Sequence, residues 1–242
     1  MSQVTILIPT FDEEQALPAT IAALSTLNPP PDEVLVCDGG SDDRTVAIAR
    51  EAGLKVLESP QKGRGSQINF GVREALGDLV CVLHADSELP EDAIQLIRET
   101  MAKEKIALAS FLPRLVGENG TRWGSTLHNW IKTWYAPLIT RPHLFVRGVR
   151  LLFGDHAMFF RRADFLSVGG CDRRLAIMEE AELCIKFAKL GKIRMLRRFV
   201  KTSDRRIAEL GSLRANYIYL KVGLMWSFGA REGLAEHYPD IR

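Results

Sequence analysis

The sequence predicts an α/β protein with a mostly parallel central sheet and helices on both of its faces. Apolar, β-branched runs alternate with helical segments over residues 1–104, which is the pattern of a parallel sheet. Runs such as 79–83 (LVCVL) carry no polar side chain, as is typical of strands covered on both faces. Polar residues follow each run, so we expect a ligand site at the carboxyl edge of the sheet.

The elements of this first part follow one another in strict order. We expect strands at 4–8, 33–37, 54–57 and 79–83, and helices at 14–26, 43–52, 65–76 and 90–103. Units of this kind have right-handed crossovers. The prolines at 29–31 and at position 90 lie between elements or at a helix start, where proline removes no helical hydrogen bond.

The pattern changes after residue 105. We expect strands at 106–115, 157–160 and 193–196, a turn at 117–120, and helices at 162–168, 179–190 and 213–229. The chain therefore divides into an α/β part (1–104), a mixed part (105–210) and a helical tail (211–242). Because the tail helix carries Arg214 and Lys221, we expect it to pack or to lie at an interface rather than to span a membrane.

The composition describes an ordinary globular protein. The 242 residues are 46% hydrophobic and carry a net charge of +2, which gives no reason to expect a nucleic-acid partner. The four cysteines lack CxxC spacing, and the first strand begins without a signal-like segment, so we expect a reducing, cytoplasmic location. No apolar run reaches the roughly 20 residues of a membrane span.

Residues 123–153 are rich in aromatic and basic side chains. Trp123, Leu127, Trp130, Ile131 and Trp134 recur at steps of three and four residues, which predicts an amphipathic helix. Its apolar face either packs in the core or forms a surface for an acceptor, for a peripheral membrane contact or for a second copy in a homodimer. The pattern leaves these alternatives open.

Acidic residues follow the first two strands. The first strand ends in PTFDE (9–13) and the second in DGGSDD (38–43), so both present acceptor groups at the sheet edge. We expect Asp42 or Asp43 to cap the next helix. Asp38 precedes two glycines and lies too early to cap, so we interpret it as a ligand contact.

The third strand leads into a loop with two glycines and two cations. Gly63 and Gly65 allow the backbone to approach a ligand closely, and Lys62 and Arg64 suit a phosphate at the following helix N-terminus. The order of a P-loop is missing.

Two further groups carry candidate chemistry. His84 and Asp86 are two residues apart in an extended segment, so they point the same way, and such a minimal set suits Mg²⁺ or Mn²⁺ shared with a diphosphate. Glu179, Glu180 and Glu182 open a helix, where the dipole favours acidic residues in any case. Together they also offer a general base whose pKa neighbouring like charges would raise.

The order of the motifs resembles family 2 glycosyltransferases over residues 3–210. The motifs are PTFDE (9–13), DGGSDD (38–43), GRG (63–65), HAD (84–86), GDH (154–156) and MEEAE (178–182). The likeness is greatest to a bacterial subgroup with a Leu-His-Ala-Asp motif, some of whose members are associated with arsenosugar biosynthesis. It implies a GT-A fold and inverting transfer of one sugar from a nucleoside-diphosphate sugar, usually a UDP-sugar, to an acceptor hydroxyl.

The resemblance also implies roles for individual residues. In the donor part, 1–104, Pro9, Thr10 and Glu13 border the nucleoside, and Asp38 binds the base. Arg64 lies near the base or phosphates, and Asp86 binds the metal. In the acceptor and catalytic part, 105–210, the resemblance implies a floor for the sugar site from Gly154 and Asp155, a catalytic base from Glu180, and a diphosphate contact from Arg205 or Arg206.

Three departures from the family pattern bear on these roles. His84 replaces the first acid of the DxD motif, so it could contact ribose or metal. Glu180 stands where the family has aspartate, so Glu179 is an alternative base. The Gln-x-x-Arg-Trp motif of processive enzymes is absent, which favours transfer of a single sugar.

Two other functions compete with this hypothesis. A non-catalytic nucleotide-sugar-binding protein would fit the departures. A nucleotidyltransferase would require a glycine-rich loop after the first strand, which PTFDE does not supply. We expect a cytoplasmic enzyme, with the inner membrane face as the site of any peripheral contact.

Overall fold

We describe the protein from a computed structural model. It describes residues 1–118, 120–146 and 148–238. Position 147 of the span 123–153 and residues 239–242 of the predicted tail therefore lie outside the described residues.

A nine-stranded sheet forms the centre of the molecule. Its strands are β1 (Val4–Thr10), β2 (Glu33–Asp38), β3 (Lys55–Glu58), β4 (Leu79–Val82), β5 (Ser87–Glu88), β6 (Ile106–Gly117), β7 (Gly120–Thr121), β8 (Phe159–Arg161) and β9 (Lys192–Ser203). The spatial order is β3-β2-β1-β4-β8-β6-β9-β5, with β7 on β6. Strands β3, β2, β1 and β4 are parallel, as are β6 and β9, whereas β8 runs antiparallel between β4 and β6. The predicted mostly parallel α/β sheet is confirmed.

Ten α-helices accompany the sheet in the described residues. They are α1 (Leu17–Leu24), α2 (Thr45–Glu51), α3 (Arg64–Glu74), α4 (Ala93–Met101), α5 (Trp123–Thr140), α6 (Pro142–Val146), α7 (Arg162–Ser167), α8 (Glu179–Phe187), α9 (Arg205–Leu210) and α10 (Ser212–Ser227). Single 3₁₀ turns cover Gly154–His156 and Leu234–His237. In these residues, no helix combines the length and apolar character of a membrane span.

The core has two layers because successive strand residues point to opposite faces. On β1, Ile6 and Ile8 pack into one layer with α1, α2 and α4, and Leu7 packs into the other with α3, α7 and α8. All four cysteines are buried and unpaired, in agreement with small apolar roles.

Strand β9 is much longer than the predicted 193–196. It continues to Ser203 and pairs with both β6 and β5. Exposed Arg197 and Arg198 break the apolar run that the sequence-based prediction relied on. Its extension matters for the site, because α9 follows at once and starts with Arg205.

Candidate active site

A cleft of about 860 Å³ lies beyond the carboxyl ends of β1 and β4. Both parts of the chain and the tail line it. The predicted site residues on its wall are Pro9, Thr10, Glu13, Arg64, His84, Asp86, Asp155, Glu180, Arg205 and Arg206. Asp38 and Glu179 do not line it, and Gly154 starts the 3₁₀ turn that carries Asp155.

Asp38 holds its own loop together. Its carboxylate accepts hydrogen bonds from the hydroxyls of Thr10 (2.9 Å) and Ser41 (2.6 Å) and from the backbone N–H groups of Gly40 and Ser41 (both 2.8 Å). Only 1% of Asp38 is exposed. These bonds stabilise the loop after β2, and the expected contact of Asp38 with a ligand stays a prediction.

Gln67 joins the ends of β1 and β2, and the sequence analysis missed it. Its Nε2 donates to the carbonyl oxygens of Thr10 and Cys37, the latter at 2.9 Å. A Cβ on Gly39 would lie 3.0 Å from this amide, so glycine leaves room for the bond. Gln67 lies on α3 one turn after Arg64, and no charge or motif in the sequence distinguishes it.

Arg205 lies between two carboxylates from the amino-terminal part. Its guanidinium donates to Glu13 at 3.1 Å and to Asp86 at 3.4 Å. Burial raises the pKa of Glu13, the Arg205 charge opposes that rise, and the Asp86 charge adds to it. Two carboxylates therefore face the same cation in the cleft.

This pair is also where a divalent ion would fit. Within the described residues, no group of three or more His, Cys, Asp or Glu side chains has metal-binding geometry. The available donors are Asp86 and Glu13, and Mg²⁺ or Mn²⁺ commonly takes one or two carboxylates and completes its shell with phosphate oxygens. The donor set fits an ion that arrives with a diphosphate.

The start of α8 places two adjacent glutamates in different surroundings. Met178 adopts a left-handed conformation (φ 71°) immediately before the helix. A Cβ on Gly65 would lie only 3.6 Å from the Cβ of Glu179, so the glycine lets α3 approach α8 closely. As a result, Arg64 Nε donates to Glu179 and lies 3.3 Å from Oε1 of Glu180.

The pKa values of the two glutamates are shifted in opposite directions. Glu179 is fully buried, and burial together with the Glu180 charge raises its pKa despite Arg64. Burial also acts to raise the pKa of Glu180, but the nearby Arg64 and His84 side chains outweigh it and lower that pKa. The predicted rise from like charges therefore applies to Glu179 and is wrong for Glu180. Glu180, whose pKa is lowered, is the one that lines the cleft.

Arg64 and His84 both lie next to Glu180. Arg64 contacts both glutamates, and Nε2 of His84 lies 3.7 Å from Oε1 of Glu180. Both residues also line the cleft, so the expected contact of Arg64 with base or phosphates and that of His84 with ribose or metal stay predictions.

Asp155 anchors the opposite wall. It accepts one hydrogen bond from Asn129 and lies 3.0 Å from Nδ1 of buried His156. Burial would raise its pKa, but His156, Lys132 and the Asn129 bond lower it well below the usual range. Lys132 Nζ lies 4.1 Å from the centre of the Phe153 ring, and burial lowers the pKa of this lysine.

Helix α5 supplies polar groups that the motif search did not assign to the site. His128, Lys132 and Tyr135 line the cleft from one face of α5. These three residues are four and three positions apart, so they share one face of the helix, away from the face that carries Trp130 and Trp134. This spacing is the sequence pattern that could have identified them. Nearby, the guanidinium carbon of Arg206 lies 4.1 Å from the centre of the Tyr238 ring, so Arg206 faces the tail and not a carboxylate.

Comparison with known proteins places this cleft in a family. The sequence profile of glycosyl transferase family 2 matches residues 5–169. The chain belongs to glycosyl transferase family 2. A glycosyltransferase of Mycobacterium bovis named as uncharacterised is 30% identical over 189 residues, covering 78% of this chain and 80% of its own. An undecaprenyl-phosphate 4-deoxy-4-formamido-L-arabinose transferase of Pectobacterium carotovorum is 32% identical over 43% of this chain and 35% of its own length.

Solved structures confirm the GT-A fold. Glucosyl-3-phosphoglycerate synthase from Mycobacterium tuberculosis, crystallised with Mn²⁺, UDP and phosphoglyceric acid, has a TM-score of 0.65 at 19% identity and covers 96% of this chain and 80% of its own. A mannosyltransferase from Pyrobaculum calidifontis, in complex with GDP-mannose and Mn²⁺, has a TM-score of 0.65 at 17% identity. The match covers 100% of this chain and 66% of the mannosyltransferase. The family match and the sequence relatives make this family 2 protein a glycosyltransferase, as predicted.

Proposed function

We propose that this glycosyltransferase moves a single sugar from a nucleoside-diphosphate sugar to an acceptor hydroxyl with inversion at the anomeric carbon. The observation that carries the proposal is the position of Glu180, a carboxylate on the wall of the cleft that also holds Asp86 and Glu13. Residues 1–104 would bind the donor, and residues 105–210 would bind the acceptor and supply the base.

The donor is proposed from likeness and from the shape of the sheet edge. Structures of similar fold hold UDP or GDP-mannose with Mn²⁺. We propose a UDP-sugar that lies along Pro9 and Thr10, with its diphosphate toward Asp86 and Arg206. The Leu-His-Ala-Asp motif supports a place in the subgroup associated in part with arsenosugar biosynthesis.

Asp86, with Glu13 beside it, would hold Mg²⁺ or Mn²⁺ against the diphosphate. Bound there, the ion would stabilise the negative charge that develops on the leaving diphosphate. Arg205 contacts both carboxylates, so it must shift when a cation and phosphates bind. Arg206, which has no carboxylate contact among the described side-chain pairs, remains available to bind a phosphate oxygen.

Glu180 would act as general base. Its carboxylate takes the proton of the acceptor hydroxyl while that oxygen forms a bond to the anomeric carbon. The bond from this carbon to the diphosphate oxygen breaks on the opposite side, and the nucleoside diphosphate leaves with the electron pair. A single displacement of this kind inverts the configuration. Glu179, bonded to Arg64 and outside the cleft wall, would hold Arg64 in place.

A ligand screen followed by a transfer assay tests the proposal. Thermal denaturation would be recorded with UDP, GDP, ADP and CDP, each with Mn²⁺, with Mg²⁺ and with EDTA, since a ligand that binds only the folded state raises the melting temperature. At a cytoplasmic pH, we expect UDP with a divalent ion to give the largest rise in melting temperature. UDP-sugars that stabilise the protein would then be assayed for hydrolysis and transfer, and the product anomer would be assigned by NMR. No rise with any nucleotide, or a product that retains the donor configuration, would contradict the proposal.

A further inference from the structure

Helix α5 is amphipathic, but its polar face is turned inward and its apolar face outward, the opposite of an ordinary surface helix. Its polar face, with His128 and Lys132, lines the cleft. Its apolar face points to solvent, where six large side chains are between 42% and 62% exposed. This apolar stripe consists of Trp123, Leu127, Trp130, Ile131, Trp134 and Leu138. The core alternative considered for this pattern is therefore wrong for these six side chains, because each of them is at least 42% exposed.

The stripe is continuous and long. Its residues are three, four or seven apart, so they follow one side of the helix over almost its full 18 residues, about 27 Å. Exposed apolar area of this extent is unusual on a free protein surface and marks a contact with another phase or molecule.

Basic side chains border the stripe on one side. Trp130 and Trp134 form a shallow hollow with β9 and its neighbours, and the cations on its wall are Lys105, Arg150, Lys192, Arg194 and Arg197. The hollow wall, as far as the structure describes it, contains no Asp or Glu. None of the five cations forms an ion pair with a described residue.

We propose that this face of the protein binds the surface of an anionic lipid bilayer, with α5 lying in the interface plane. Tryptophan is the residue that favours the boundary between head groups and acyl chains, and a helix with an apolar face and nearby cations is suited to lie there. Arg150 donates to the carbonyl oxygens of Phe145 and Val149 and stacks on Trp134, so it orders the edge of the stripe. The other four cations would face lipid phosphates, each attracted by about 1 kcal/mol near an anionic leaflet.

Charge favours a bilayer over a second copy of the chain. A two-fold dimer brings the same patch of both subunits together, so the cations of one copy would face those of the other. Like charges across an interface oppose association. An anionic surface instead compensates them.

Vesicle binding tests the proposal without any catalytic readout. The purified protein would be sedimented with vesicles of phosphatidylcholine alone or with phosphatidylglycerol added, at low and high salt. We expect binding to the phosphatidylglycerol vesicles only, with a large loss at high salt because exposed charges are screened. Three of the four tryptophans lie on the stripe and Trp226 is buried, so vesicles should also shift the emission to shorter wavelength.

Paired variants separate the stripe and the cations from unrelated surface changes. We expect Trp130→Ser with Trp134→Ser, and separately Arg194→Glu with Arg197→Glu, each to weaken vesicle binding by roughly tenfold or more. Leu76→Ser, in the α3–β4 loop at 73% exposure, and Arg73→Glu on α3 are the matched controls and should bind as the wild type does. Circular dichroism and melting temperature would verify folding.

Three results would overturn the proposal. One is absence of binding to phosphatidylglycerol vesicles by the folded wild type. Another is a loss of vesicle binding in the control variants that equals the loss in the stripe and cation variants. The third is a wild-type protein that is a dimer in sedimentation velocity and binds no vesicles, while the double tryptophan variant is a monomer. That result would assign the stripe to a homodimer interface. Failure of sugar transfer would leave all three readouts unchanged, so the two proposals fail separately.

Discussion

Nε2 of His84 lies 3.7 Å from Oε1 of Glu180, and both atoms are buried without a hydrogen-bond partner among the described residues. The contact joins the end of β4 to the start of α8. It brings the residue that replaces the first acid of the DxD motif next to the proposed base. We infer that His84 helps to orient Glu180.

His84→Ala tests this position. The change removes the neighbour that faces Glu180 Oε1, so we expect kcat to fall by about tenfold to a hundredfold through loss of alignment. The Kd of UDP, measured by calorimetry, should change little. His84→Asn, which keeps a polar donor, should recover part of kcat. Weaker UDP binding with an unchanged kcat would instead place His84 at the donor.

The two glutamates of α8 should differ sharply in their effect. Glu180→Gln keeps the shape of the side chain but removes the proton acceptor, so we expect transfer to fall by about 10²- to 10⁴-fold while UDP still binds. Glu179→Gln should retain most of the transfer rate, because Glu179 lies outside the cleft wall. Steady-state transfer and calorimetry measure both. If Glu179→Gln alone abolishes transfer, the base is Glu179.

Sequence patterns predict the first half of this fold well because its signals are local. Strands β1, β2 and β4 are short, mainly apolar runs that are buried on both faces, and β3 is a short, partly exposed strand at the sheet edge. The second half depends on contacts distant in sequence. Strand β9 is held along its length by β6 and β5, so exposed arginines within it do not interrupt the strand.

The candidate site shows the same limit. The motifs place Glu13, Asp86 and Glu180 at one cleft because all three follow strands or open a helix at the same edge. They do not distinguish Glu179 from Glu180, since two adjacent glutamates look alike until Arg64 and burial separate them. Arg64 comes from α3, and only the close approach at Gly65 brings it there.

Asp86→Ala tests the metal site. We expect Mn²⁺ to increase the stabilisation by UDP in the wild type and to have no further effect in the variant, because Asp86 is the carboxylate at the end of β4. Transfer should be abolished with the fold intact. Thermal denaturation with UDP, with and without Mn²⁺, gives the comparison, and Asp92→Ala on the outer surface is a matched control. Near-normal turnover by Asp86→Ala would remove the residue from the site.

Arg64→Met tests whether Glu179 holds Arg64 or the reverse. The change leaves the fully buried Glu179 carboxylate without the one cation that pairs with it among the described residues, and leaving a buried group unpaired costs about 1–3 kcal/mol. In the double variant, Glu179→Gln should restore part of the free energy of unfolding, because a neutral amide is less costly to bury than an unpaired charge. Urea denaturation of the wild type, both single variants and the double variant completes the cycle.

The pH dependence of stability in the Arg64→Met variant tests separately whether the cost comes from the Glu179 charge. Burial already raises the pKa of Glu179 above its ordinary value of 4.5, and removing the cation that opposes this rise should raise it further. A carboxyl group with a raised pKa in the folded state takes up a proton on folding, so stability is retained at low pH and lost as pH rises through the folded-state pKa. The difference in unfolding free energy between wild type and Arg64→Met should therefore be larger at pH 8 than at pH 5. An equal difference at both pH values would show that the cost comes from packing of the arginine and not from the Glu179 charge.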